Sequence, residues 1–292
     1  MCFLLTTYNE AQTFCEIEKF IKDVVDDQIS CEQFKQQIVP LIIKSRRFFI
    51  AGYDYVDSII IFKQIERALF QANKYRLYEN IYDLPDHVIE LMIADIQSQF
   101  ERIQDGHQYD QKQNKAETKK VERFLLDIIQ NTDCLMIFPM RFSIRESVSS
   151  LVGFNGFECY VNAILREVRA RETNVFRCIH SVIWKIKHHP EQGYYLQIYF
   201  IYAGQAQDTT LSDHANKLIA KCEELSNGFG EVYIEEQAKK GWFVNCQDDR
   251  QIQRILQLLK SDFNANSKSH YLRVMLTRGK TFNCERIPLK LN

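Results

Sequence analysis

No run of about 18 or more apolar residues occurs in the 292-residue chain, so none of it has the length and apolarity of a membrane-spanning helix. Its first residues, MCFLLTTYNEAQ, lack the basic flank and small-residue cleavage site of a secretory leader, and no leader is expected. Nine cysteines are scattered singly with no Cys-x-x-Cys pair, which argues against a disulfide framework or a metal cluster. They are expected to be reduced, small apolar residues of a cytoplasmic protein. Gly228-Phe229-Gly230 is followed by no Lys-Ser/Thr, so there is no phosphate-binding Walker loop. A Gly-x-Ser-x-Gly elbow and a His-Glu-x-x-His pair are absent as well, which removes the corresponding hydrolase and zinc-protease chemistries. The adjacent acids Glu235-Glu236 and Asp248-Asp249 fit a solvated turn and a helix N-terminus.

What is present is a globular composition, 46% hydrophobic and 26% charged, long enough for one large or two ordinary domains. Charge is uneven. Residues 1–130 carry 16 Lys and Arg against 21 Asp and Glu, and residues 131–292 carry 21 against 17, so the second part has a net charge of +4. That permits a polyanionic partner without requiring one.

Phe14, Ile17, Ile21, Val24 and Val25 recur at helical spacing, as do Phe34, Ile38, Leu41 and Ile42, with Pro40 expected to kink or break the second helix. Helices over 57–77 and 86–103 complete a helical N-terminal domain, 1–130. The stretch 104–120, QDGHQYDQKQNKAETKK, is polar and nearly free of aliphatics, and is expected to be a linker or exposed loop leading into a last helix over 116–130. The second domain, 131–292, opens with the strand-like Cys134 to Ile144. A helix over 156–171, two strands, a helix over 212–225, a short segment near Val232, a helix over 248–259 and a strand over 270–277 follow. The order β-α-β-β-α predicts an α+β fold in which an antiparallel sheet of ferredoxin-like type carries helices on one face.

The two central strands flank the turn His188-His189-Pro190-Glu191-Gln192-Gly193. Val182, Trp184 and Ile186 alternate with Ser181, Lys185 and Lys187, the period of a half-buried strand. Tyr194 to Tyr202 is almost wholly aromatic and β-branched, as in a central strand.

Met140-Arg141-Phe142-Ser143, Val182-Ile183-Trp184-Lys185, the segment Gly193 to Phe200, Gly241-Trp242, Asn245-Cys246, Tyr271-Leu272 and Arg278 to Phe282 occur in an order that resembles the YagK/YfjJ C-terminal family of prophage proteins. That family is similar to filamentous-phage replication proteins of the HUH endonuclease type. The likeness covers about half the chain. It implies an HUH/RRM-like domain, single-strand nicking of DNA by a tyrosine, and a magnesium or manganese ion held by a His-x-His triplet whose first and third residues face one side of a strand. Where that triplet would stand this chain has Tyr195-Leu196-Gln197. A neutral phenol is a poor ligand for a divalent ion. His180, some four residues along its strand from the position opposite Gln197, is roughly 13 Å away and too far to replace it.

The resemblance thus implies a replication-initiator-like DNA-binding protein of mobile-element or prophage origin with a degenerate nicking site and no metal or other cofactor. Its partners would be single-stranded or origin DNA, and a protein partner is expected for the N-terminal helices. Lys185, Lys187, Arg273, Arg278 and Lys280 are the candidate phosphate contacts, with Tyr195, Gln197 and Tyr199 beside them; the bland alternative is a solvated strand face. Tyr271 is the candidate nucleophile, or else a packing residue with a polar tip. Two alternatives stand: an active metal-dependent tyrosine nickase that initiates rolling-circle replication, and a protein-interaction module, a phage or defence factor that binds no nucleic acid.

Overall fold

The computed structural model describes residues 9–50, 53–72, 78–149, 151–171, 175–189, 192–204, 211–235, 241–264, 272, 274–276 and 280–288. Two compact units divide the chain: Met1–Gln111 with Leu272–Gly279, and Lys112–Tyr271 with Lys280–Asn292.

The first unit is built from amphipathic helices α1 (Glu10–Val25), α2 (Cys31–Ser45), α3 (Asp57–Ala72) and α4 (Asp86–Ser98), and from the start of α5 (Phe100–Ile129). Asn9 caps α1 by accepting from the Ala11 and Gln12 amides. Ser30 and Gln33 form a reciprocal capping box on α2. Phe14, Phe20, Phe34 and Phe62 are fully buried, with Phe20 and Phe34 rings 5.2 Å apart. Pro40 does not break α2, which runs through it with Pro40 on the exposed side, where a carbonyl left without its helical donor is open to solvent. The unit also holds a two-stranded antiparallel ribbon of β1 (Tyr53–Tyr55) and β7 (Val274–Leu276). The predicted strand at 270–277 is therefore present in part, but it belongs to this unit.

The second unit contains β2 (Cys134–Ile144), α6 (Glu146–Ser149), α7 (Phe154–Ala170), β3 (Ser181–His189), β4 (Gly193–Ala203), α8 (Leu211–Leu225), β5 (Gly230–Tyr233), β6 (Trp242–Asn245), α9 (Asp249–Asn264) and β8 (Phe282–Arg286). Its sheet has the order β5-β2-β4-β3-β8, with β6 also on β2, and every pairing is antiparallel. The hairpin register pairs Lys185 with Gln197 and His189 with Gly193, whose φ of 84° is the conformation that glycine adopts without strain.

Both faces of the sheet are covered, where helices on one face were expected. Met136, Phe142, Tyr194 and Phe200 share the face carrying α7, with Phe154 4.9 Å from Tyr194 and Phe142 stacked on Phe157. On the other face Leu135, Ile137, Ile183, Tyr199 and Ile201 form one core with Val121, Leu125 and Ile128 of α5 and with Ile255, Leu259 and Phe263 of α9. This explains why β4 is apolar and aromatic on both faces apart from Gln197, because a strand buried on both sides has no solvent-facing side to alternate.

The expected linker at 104–120 is helical, part of the 30-residue α5. Its Gln, Lys, Glu and Ala residues are good helix formers, and polarity alone does not stop a helix. The later part of α5 packs on the sheet, so the compact units divide at 111 where 130 was expected.

Candidate functional site

Side chains alternate across a strand, so β4 presents Tyr195, Gln197 and Tyr199 to the face covered by α5 and α9. The register adds Lys185 and Lys187 from β3 and Arg141 and Ser143 from β2. Gln197 thus stands between Lys185 on one side and Arg141 on the other, and Tyr195 stands between Lys187 and Ser143.

None of these groups lies on an open surface. Tyr195, Gln197 and Lys187 are each 6% exposed and Tyr199 is fully buried. Lys185 donates to Glu117 Oε2 and to Asn114 Oδ1 of α5, both at 2.7 Å. Lys187 donates from Nζ to the Asp262 main-chain carbonyl of α9, and the Tyr199 hydroxyl donates to Asp262 Oδ2. Gln197 Nε2 donates to the Met140 carbonyl. The Arg141 guanidinium lies 4.7 Å from the Tyr195 ring centre, a cation–π distance, and its Nε is buried without a hydrogen-bond partner among the described residues.

Burial sets the proton affinities here. It lowers the Lys187 ammonium to about 8, against the opposing pull of Asp262 and with further lowering by Lys185 and Arg141. Burial raises the Tyr195 phenol, with Arg141 acting in the opposite sense, and raises Tyr199 well above the ordinary value, where the Asp262 carboxylate adds to the effect. Both phenols are neutral in the physiological range. Neither has the lowered pKa of an activated nucleophile.

The residues do not suit a divalent cation. The two positions where the family would place histidines are a neutral phenol and an amide already engaged with Met140, and the nearby carboxylates of Glu117 and Asp262 are taken by Lys185 and Tyr199. Among the described residues no group of three His, Cys, Asp or Glu side chains is disposed to hold a metal. His180 lies outside the cluster too: its main-chain N–H donates to the Ile201 carbonyl and its Nδ1 is 2.8 Å from Ser181 Oγ. A cavity of about 20 Å³ beside Arg141, Gln197, Glu235, Trp242 and Asp262 has room for one water and none for a nucleotide.

Five of the sequence-derived candidates therefore come together, Lys185, Lys187, Tyr195, Gln197 and Tyr199, but as a closed polar core. As described, the lysines cannot reach a phosphate and the rings cannot stack on a base. Lys280 is exposed. Tyr271, Arg273 and Arg278 lie outside the described residues. Arg141, Glu117 and Asp262 complete the cluster without having been candidates. Arg141 stood in the strand segment that carries the family resemblance, whereas Glu117 and Asp262 join Lys185 and Lys187 across 68 and 75 residues of chain with no local signal. No family model, no curated protein and no solved structure matches this chain.

Proposed function

We propose that the chain is a replication-initiator-like DNA-binding protein that does not nick DNA. The observation carrying this reading is the closed face at Tyr195-Leu196-Gln197. In a strand frame resembling that of the HUH-type proteins, the two ligand positions are buried among Lys185, Lys187 and Arg141 and roofed by α5 and α9. The succession β2-α7-β3-β4-α8-β5 with strand order β5-β2-β4-β3 supports the ferredoxin-like assignment for this part of the sheet. DNA binding itself rests on the resemblance and on the positive charge of residues 131–292. A cytoplasmic location and a mobile-element origin belong to the same reading, and the N-terminal helices would take a protein partner.

The test is direct. The full chain is incubated with single-stranded and supercoiled DNA and magnesium or manganese, and scored for salt-sensitive binding and for a covalent protein-DNA adduct. Binding without adduct is expected. An adduct lost in Tyr271→Phe would establish the nickase in its place, and no affinity for any DNA at low salt would favour the protein-interaction module.

A further inference from the structure

Within the second unit, α5 carries Lys112, Lys115, Lys119, Lys120 and Arg123, all exposed. The acids on the same stretch are each engaged by other cations. Glu117 pairs with Lys185 at 2.7 Å, Glu122 with Lys260 at 2.9 Å and Asp127 with Arg286 at 2.7 Å. None of the five α5 cations has an acidic partner among the described residues. Lys120 instead sits 3.4 Å from Asn283 Oδ1 and over the Phe282 ring at 5.3 Å.

Lys112, Lys115, Lys119 and Arg123 follow the spacing i, i+3, i+7, i+11, so they form one row along the helix, about 16 Å long. That row is opposite the buried stripe of Val121, Leu125 and Ile128. Beside it is a cleft of about 460 Å³ lined by Ala116, Lys119, Lys120, Arg123, Phe124 and Asp127. Ala116 and the half-buried Phe124 supply its apolar part.

We infer that this row and cleft form a binding track for single-stranded DNA: the cations contact successive phosphates and an unstacked base enters the cleft against Phe124. The unneutralised charge selects a polyanion. The half-buried Phe124 in the cleft beside it offers a ring to an unstacked base, which favours a single strand over a duplex, whose bases are stacked out of reach. This deepens the proposed function and rests on it, since it says where on the molecule the DNA lies.

The experiment is an anisotropy titration of a labelled single-stranded oligonucleotide with the full chain over a range of salt. It compares the wild type with a variant combining Lys112→Glu, Lys115→Glu, Lys119→Glu and Arg123→Glu, and with the matching Gln set, which retains good helix formers at each position. The Glu set should lose affinity on the order of a hundredfold at low salt, and the slope of log affinity against log salt should flatten by about three. The Gln set should fall between wild type and the Glu set with its thermal midpoint unchanged, and Phe124→Leu should lose the preference for single strand over duplex. Wild-type binding that the Glu set retains overturns this site and leaves the proposed function standing. A wild type with no affinity for DNA overturns both. Equal affinity for duplex overturns the assignment of the cleft, and charge-dependent binding to anionic phospholipid vesicles with no binding to the oligonucleotide overturns the choice of DNA.

Discussion

Lys185 Nζ lies 2.7 Å from Glu117 Oε2, and the two side chains are only 12% and 10% exposed. One strand residue and one helix residue thus form an ion pair inside the layer between the sheet and α5. A pair of this kind contributes little relative to an apolar substitute, but breaking it from one side strands a buried charge. Glu117→Gln should therefore destabilise the protein by about 3–5 kcal/mol in urea titration, whereas Lys185→Met combined with Glu117→Leu should recover most of that loss. Additive losses in the double variant would show that the pair is not a closed unit.

Tyr199 should respond in the same way. Its hydroxyl donates to Asp262 in a fully buried setting, so Tyr199→Phe leaves the Asp262 carboxylate short of a donor. A loss of about 1–3 kcal/mol is expected, with DNA binding unchanged because the ring faces no solvent. A Tyr199→Phe protein that binds DNA more weakly at unchanged stability would show that this ring is reached after all.

Lys187 makes the stability of the fold depend on alkaline pH. Its pKa in the folded state, about 8, lies below the 10.5 of an unburied lysine, so between those values the unfolded chain holds a proton that the folded one has released. The cost of burying the ammonium is present in full below pH 8 and is relieved as pH rises toward 10.5, by on the order of 3 kcal/mol. Wild type should accordingly gain stability relative to Lys187→Met between pH 7.5 and about 10. A constant difference across that range would mean that Lys187 is not desolvated.

Gly230 marks where β5 closes on β2. A Cβ built there would stand 2.4 Å from the Phe142 ring, and that ring is pinned by its stack on Phe157. Gly230→Ala should cost about 1–3 kcal/mol through overpacking, read as a lower thermal midpoint. Combining it with Phe142→Leu should return part of the loss.

Much of the second unit was legible because its strands announce themselves locally. Cys134 to Ile144 was placed with its observed bounds, and Gly193 set the hairpin register that brings Gln197 opposite Lys185. What could not be read locally was the second helical layer. Lys185 and Lys187 alternate with apolar residues and resemble a solvent-facing row, yet Glu117 and Asp262 arrive from distant helices to neutralise or accept from them. The same blindness hid the exposed cations. In 104–120 low apolarity suggested a loop, while helix propensity was high and the apolar stripe resumed only at Val121 and Leu125. Seeing that Glu117, Glu122 and Asp127 leave the α5 cations unneutralised required three tertiary pairings.

The most direct measurement of the central claim is a lysine-labelling footprint of the full chain near pH 8, read by mass spectrometry with and without a single-stranded oligonucleotide. Lys185 and Lys187 should stay unlabelled, although burial lowers the Lys187 pKa and so favours its reactive neutral form. Lys112, Lys115, Lys119 and Lys120 should label quickly, and oligonucleotide should slow them. Rapid labelling of Lys185 and Lys187, suppressed by oligonucleotide while the α5 lysines are unaffected, would show that the sheet face is open and contradict the account.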